Sequence, residues 1–169
     1  MKDNYIQLGE SNVLTLKIKT DKGEYTGEEL TFDLDDPDLL LRYQDLVEAD
    51  KKNWQNTRNK ILIIEKQQDH KGEKLLSSNE EAKIRATSEF FKEEQKIFDM
   101  FLGEGGTEKL LNGRKFSWTT MAEIKDIIIK QIAPYLEKTM DKITEQVKKE
   151  YGDVFNNENE VLKWIILNT

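Results

Sequence analysis

The segment Asp35-Asp36-Pro37-Asp38, with the apolar pattern that follows it, constrains this chain most. Proline is at ease in the first turn of a helix, where its φ is already helical and its missing N–H costs nothing. Aspartates around it suit the positive end of the helix dipole. Beyond this start, apolar residues fall at Leu40, Tyr43, Val47, Trp54, Ile61 and Ile64. With Asp50 and Thr57 in the gaps, the steps alternate between three and four, a heptad seam with two polar interruptions. The pattern predicts one helix from Pro37 to about Gln68, roughly 48 Å long at 1.5 Å per residue. Such a helix cannot cover its own stripe, so the rest of the chain has to supply partner helices.

Before this helix the period changes to two. Leu14, Leu16 and Ile18 alternate with Thr15, Lys17 and Lys19, and Leu30, Phe32 and Leu34 alternate with Thr31 and Asp33. Asp21-Lys22-Gly23 between them is turn chemistry, so a β-hairpin is expected, with Gly27 as a bulge or strand break. After a connector from His70 to Ser78, a Ser78/Glu81 capping box opens a second helix. Its stripe is Ile84, Thr87, Phe91, Ile97, Phe98 and Phe101, with Phe90 and Leu102 adjoining. A third long helix begins near Trp118, with a Thr120/Glu123 capping box. Its stripe is Met121, Ile124, Ile128, Tyr135, Ile143 and Val147, and Pro134 predicts a kink near residues 131–133. Asn157 and Glu160 are expected to cap a short final helix carrying Val161, Leu162, Ile165 and Ile166. The expectation is an α+β, mostly α fold in a single domain, 1–169. An N-terminal β-hairpin region (1–35) precedes a helical region (36–169) of three long helices plus a short C-terminal helix.

Charge is unevenly placed. Residues 1–50 carry 13 Asp and Glu against 5 Lys and Arg, a net of −8, whereas the remainder carries 20 against 21. An acidic surface repels nucleic acid and anionic lipid and suits a basic protein partner. No apolar run reaches the 18–20 or so residues of a membrane span, and the first twenty residues, with no apolar signal core, lead to the expectation of no secretion signal. The expected setting is therefore the cytoplasm, as a soluble protein.

Few residues offer chemistry. With no cysteine and one histidine, His70, no Cys- or His-based metal site is expected. Asp33, Asp35, Asp36 and Asp38 lack the glycine and terminal glutamate of a calcium loop and read as a strand end and helix cap. The glycines of Phe101–Lys115 do not have phosphate-loop spacing, and a helix rather than a strand precedes them. They read as a connector: Gly103 as a left-handed C-cap, Gly105 and Gly106 as the reversal, and Thr107 as a new N-cap before a short turn ending at Asn112-Gly113. No Gly-x-Ser-x-Gly elbow and no Glu-x-x-His pair is present, so neither catalytic residues nor a cofactor are expected. Trp54, Trp118 and Trp164 are candidate core or interface anchors. The candidate protein-binding residues are Trp54 and, near the C-terminus, Trp164, Ile165 and Leu167.

Two short segments carry a family resemblance. Phe32-Asp33-Leu34-Asp35-Asp36 followed by a helix with Arg42-Tyr43, and then Phe101-Leu102-Gly103-Glu104-Gly105-Gly106-Thr107-Glu108-Lys109-Leu110-Leu111-Asn112-Gly113, resemble small proteins of tail-gene clusters in phages and prophages of Gram-positive bacteria. Those relatives carry Phe-Gly-Glu-Gly-Thr-x-Lys-Leu-Phe-Gly or close to it between two helices. Here one glycine is inserted, leucine replaces the second phenylalanine and an asparagine is added. The resemblance spans residues 13 to 150. It implies a non-enzymatic tail assembly chaperone that binds the tape-measure protein and presents it to tail-tube subunits. The alternative is a small acidic phage protein that binds and inhibits a host nucleic-acid-binding factor. The interrupted seam also predicts weak homo-oligomerisation that Trp54→Ala shifts, with burial of Trp54 in a monomer core as the competing expectation. No binding to a generic DNA duplex is expected at physiological salt, because Lys148-Lys149 is too small a basic patch to offset the acidic N-terminal part. A filter-binding titration across salt checks this, and a micromolar, salt-dependent affinity would contradict it.

Overall fold

The computed structural model describes residues 12–151. Strands β1 (Val13–Lys19) and β2 (Tyr25–Asp33) pair antiparallel, with Leu14 opposite Phe32 and Leu16 opposite Leu30. Ile18, Leu30 and Phe32 are buried, while the alternate residues point to solvent. The register shifts between Lys17 and Lys19, where the facing part of β2 contains Gly27 at φ +89°, the bulge expected of that glycine. A two-stranded ribbon is marginal alone, so its apolar face needs the helices.

Asp36 caps α1 (Pro37–Glu65), its Oδ1 accepting the Asp38 N–H at 2.9 Å. Asp33 Oδ1 accepts the Asp35 N–H and Asp35 Oδ2 accepts the Asn12 N–H. The acidic run is therefore a strand end and helix cap. Helix α2 (Ser78–Leu102) runs back along α1, as contacts of Asn53 with Glu94, Lys60 with Glu89 and Glu65 with Lys83 require. α1 buries Leu39, Leu46 and Ile64, with Tyr43, Asp50, Asn53, Thr57 and Ile61 half-buried beside them. The predicted seam is thus rotated by one residue in the first two thirds of the helix: Leu39, Leu46 and Asn53 point inward more than Leu40, Val47 and Trp54. The polar interruptions at Asp50 and Thr57 lie in an intramolecular contact, so the seam no longer argues for an oligomer. In α2 the inward residues are Ala86, Phe90, Glu94, Ile97, Phe98, Phe101 and Leu102, and Ile84 is exposed.

The capping boxes are offset from expectation. Ser77 with Glu80, not Ser78 with Glu81, caps α2, while Ser78 Oγ accepts from the His70 N–H across the connector. Ser117 caps the third long helix, with Thr120 as its reciprocal partner in place of Thr120/Glu123. That helix comprises α4 (Trp118–Ile127), a π-helical turn (Ile128–Ile132) and α5 (Ala133–Tyr151). The Ala133 N–H reaches back five residues to the Ile128 carbonyl, just before Pro134. A π turn is one way to accommodate a residue with no N–H of its own. The extra residue also shifts the stripe: Ile132, Leu136 and Thr139 are buried, whereas Tyr135 is exposed. The fold is α+β and mostly α, a β-hairpin followed by helices, as the sequence predicts. The anticipated final helix lies outside the described residues.

Between α2 and α4 the glycine-rich segment folds into α3 (Gly106–Leu111). Gly103 ends α2 at φ +93°, ψ 165°, a conformation outside the left-handed helical region expected of it and open almost only to glycine. Gly105, not Thr107, is the N-cap of α3. Thr107 is instead fully buried, its N–H donating to Asp99 Oδ1 at 2.7 Å. Gly106 has no room for a side chain, since an added Cβ would lie 2.6 Å from the Leu102 Cβ. Gly103→Ala should lower stability by roughly 1–3 kcal/mol through backbone strain alone, measured by urea denaturation. Gly106→Ala should destabilise through displacement of Leu102, and helix content by circular dichroism should survive both.

Candidate functional site

Two of the three tryptophans meet on one surface. Trp118 is the first residue of α4, placed there by the Ser117 cap, and its ring centroid lies 5.4 Å from that of Trp54 on α1. Phe90 of α2 lies beneath both, 4.8 Å from Trp54 and 5.3 Å from Trp118, and Phe91 meets Trp118 edge-on at 4.7 Å. Phe90 is 1% exposed, whereas Trp54 and Trp118 are 41% and 48% exposed. The result is an aromatic platform whose base is core and whose upper surface is solvent. Trp54 therefore serves as a core anchor on one side and an exposed surface on the other.

The platform stands at the end of the three-helix region. Trp118 contacts Trp54, Lys125 contacts Asp50, and Glu137 acts on Tyr43, so α4 and α5 run antiparallel to α1 toward the hairpin. Residues 57–65 of α1 and 78–88 of α2 continue past Trp118 as a two-helix arm. Ile84 on this arm is 55% exposed.

Beneath the platform lies a polar layer contributed by three helices. Lys125 Nζ lies 2.6 Å from Asp50 Oδ1 and 5.7 Å from the Trp54 ring centroid. Asn53 Nδ2 donates to Glu94 Oε1 at 2.7 Å and to the Phe90 carbonyl at 3.2 Å. Glu94 is fully buried, and its Oε2 has no hydrogen-bond partner while the group is a carboxylate. Burial, then the neighbouring Asp50, push its carboxyl up to about 8, against the opposing effects of Asn53 and Lys125. Protonation lets Glu94 donate toward Asp50 and removes the orphaned acceptor.

The other candidates do not converge on chemistry. The glycine-rich segment is packed against its neighbours: Thr107 Oγ1 donates to the Gln95 carbonyl, and Lys109 lies 3.7 Å from Glu28. An open cleft of about 360 Å³ lies beside it, lined by residues of both signs including Lys19, Asp21, Lys22 and Arg114. Arg114 is already engaged by the Leu111 carbonyl and Glu123. His70 is exposed in the α1–α2 connector. Among the described residues, no group of His, Cys, Asp and Glu is placed to hold a metal, and no helix is long and apolar enough to cross a membrane. Trp164, Ile165 and Leu167 lie outside the described residues. Sequence reasoning missed Glu94, Asn53 and Lys125 and took Asp50 only as a break in the seam, although Glu94 stands four residues from both Phe90 and Phe98, a polar residue on the apolar period. No family model matches the chain, and no curated protein or solved structure matches it.

The polar layer generates a pH dependence. Glu94 keeps its proton to about pH 8 in the folded chain but releases it near the ordinary carboxylate value once unfolded. Between these values the folded state binds more protons, so stability falls as pH rises, by at most about 1.4 kcal/mol per pH unit. Thermal melts from roughly pH 5 to 8.5 should show this decline. Glu94→Gln should flatten it, and an unchanged slope in that variant would assign the effect to other groups.

Proposed function

We propose that this protein is a non-enzymatic tail-morphogenesis factor, a tail assembly chaperone that receives a helical segment of the tape-measure protein on the Trp54–Trp118 platform. The platform carries the reading. Two tryptophans sit half-exposed on a buried base, beside an arm that is formed, among the described residues, by α1 and α2. Tryptophan supplies large contact area with little conformational freedom to lose and is enriched at binding hot spots. A client helix with apolar residues at i, i+3 or i+4 and i+7 would lay them across the platform and along the arm toward Ile84. The phage-tail resemblance supplies the identity of the client. The second reading, an acidic inhibitor of a host nucleic-acid-binding factor, draws on the N-terminal acidity. Asp33, Asp35 and Asp36 turn oxygens onto backbone N–H groups, so part of that acidic run serves the strand end and the helix cap.

Co-expression of the full chain with the tape-measure protein of the same tail-gene cluster tests the proposal. A complex should co-purify, and Trp54→Ala with Trp118→Ala should weaken it at least about tenfold, the scale of a hot-spot loss, while circular dichroism stays native. Failure to form any complex, or a complex indifferent to both substitutions, would overturn the reading.

A further inference from the structure

The edge that α1 contributes to the aromatic platform is cationic. Lys51 stands three residues before Trp54 and Arg58 four residues after it. At about 100° per residue, Arg58 lies about 40° and Lys51 about 60° around the helix from Trp54, both on the side away from Leu46 and Asn53. Both are exposed, and neither has an ion-pair partner among the described residues. The neighbouring charges are matched: Lys125 pairs with Asp50, and along the arm Lys60 pairs with Glu89 and Lys83 with Glu65. In a chain of net charge −7, two uncompensated cations beside an exposed tryptophan are a local exception.

The order of residues around α1 is that of a helix seam. From the core outward come Asn53, then half-buried Thr57 and Ile61, then Trp54, and last Arg58 and Lys51. Apolar positions thus lie inward and charges on the flank, where in paired helices they set partner choice and orientation. Helix α4 starts beside Trp54 and runs toward the hairpin, so among the described residues no third helix lies on residues 57–65 of this seam. Lys51 and Arg58 are one heptad apart, about 10.5 Å along the axis.

We infer, on the reading that the platform receives the client, that the docking segment is an acidic amphipathic helix. Its seam offers apolar residues to Trp54, Trp118 and Ile84, and its flank toward α1 carries Asp or Glu one heptad apart, opposite Arg58 and Lys51. A basic helix would bring like charges together at both positions. Single-stranded nucleic acid also combines negative charge with rings that stack on tryptophan. A helix fits better because the surface continues from the platform through Ile61 and Ile84, aliphatic positions on the two helices of the arm. Exposed ion pairs are individually weak and screened by salt, so the tryptophans supply the affinity and the two cations the choice of partner.

Fluorescence anisotropy of two labelled synthetic helices, titrated with the full chain, tests the inference. Both helices carry leucine at the same seam positions, and the flanking positions are glutamate in one and lysine in the other. The glutamate helix should bind at least roughly fivefold more tightly in about 0.05 M salt, and the gap should close toward about 0.5 M. Lys51→Glu with Arg58→Glu, both exposed substitutions, should reverse the preference while circular dichroism stays native. Equal binding of the two helices, or a preference that the double variant retains, would overturn the inference. So would failure of the glutamate helix to bind, or tighter binding of a labelled thymidine oligonucleotide. The platform reading is decided separately, by whether the tape-measure complex depends on Trp54 and Trp118.

Discussion

Burial of the aromatic edge of α2 is the interaction on which the rest of this structure depends. Phe90, Phe98 and Phe101 are each 1% exposed and each joins different parts of the chain. Phe101 meets Phe32 of the hairpin at 5.7 Å and Tyr43 of α1 at 5.6 Å. Phe98 meets Phe116 on the approach to α4, and Phe90 carries both tryptophans. Burying one such ring contributes about 1.5–3 kcal/mol, and removing it costs about 3–5 kcal/mol because a cavity remains. The hairpin, α1 and α4 thus share one helix as their common partner, with α3 also packed against β2.

The same edge contains its own contradiction in Glu94. A carboxyl between Phe90 and Phe98 sits where an apolar side chain would pack, and its burial costs stability when ionised. The local answer is a layer assembled from three helices, with Asn53 donating, Asp50 able to accept and Lys125 balancing Asp50. Lys125 also lies over the Trp54 ring. Lys125 thus touches both the polar layer, at Asp50, and one half of the exposed aromatic platform.

Helix α1 presents three differently constituted faces. Its inward line binds α2. The Trp54 side joins the platform. The third, bearing Leu41, Asp45, Glu48, Lys52 and Gln55, is exposed. One long helix can divide its duties in this way because neighbouring residues are separated by about 100° around the axis, so a one-residue offset moves a side chain from core to rim.

That geometry also separates what was legible in the sequence from what was not. Period-two alternation in Leu14–Ile18 and Leu30–Leu34, the Asp36-Pro37 helix start and the apolar stripes sufficed for the hairpin, the three long helical segments and their order, because each is a local property of a few residues. Trp54 could be singled out as an anchor, but not its meeting with Trp118 and Phe90, which lie far along the chain. The inward residue was misjudged at Trp54 against Asn53 and at Tyr135 against Leu136. In the first case two adjacent positions compete for one seam, and in the second a π turn inserts a residue. Of Glu94, Asp50, Asn53 and Lys125, only Asp50 was read from the sequence, as a polar break in an apolar stripe. Which breaks face each other, and hence which carboxyl holds a proton, depends on how three helices pack, and that packing was decided by tertiary contacts rather than by any local pattern.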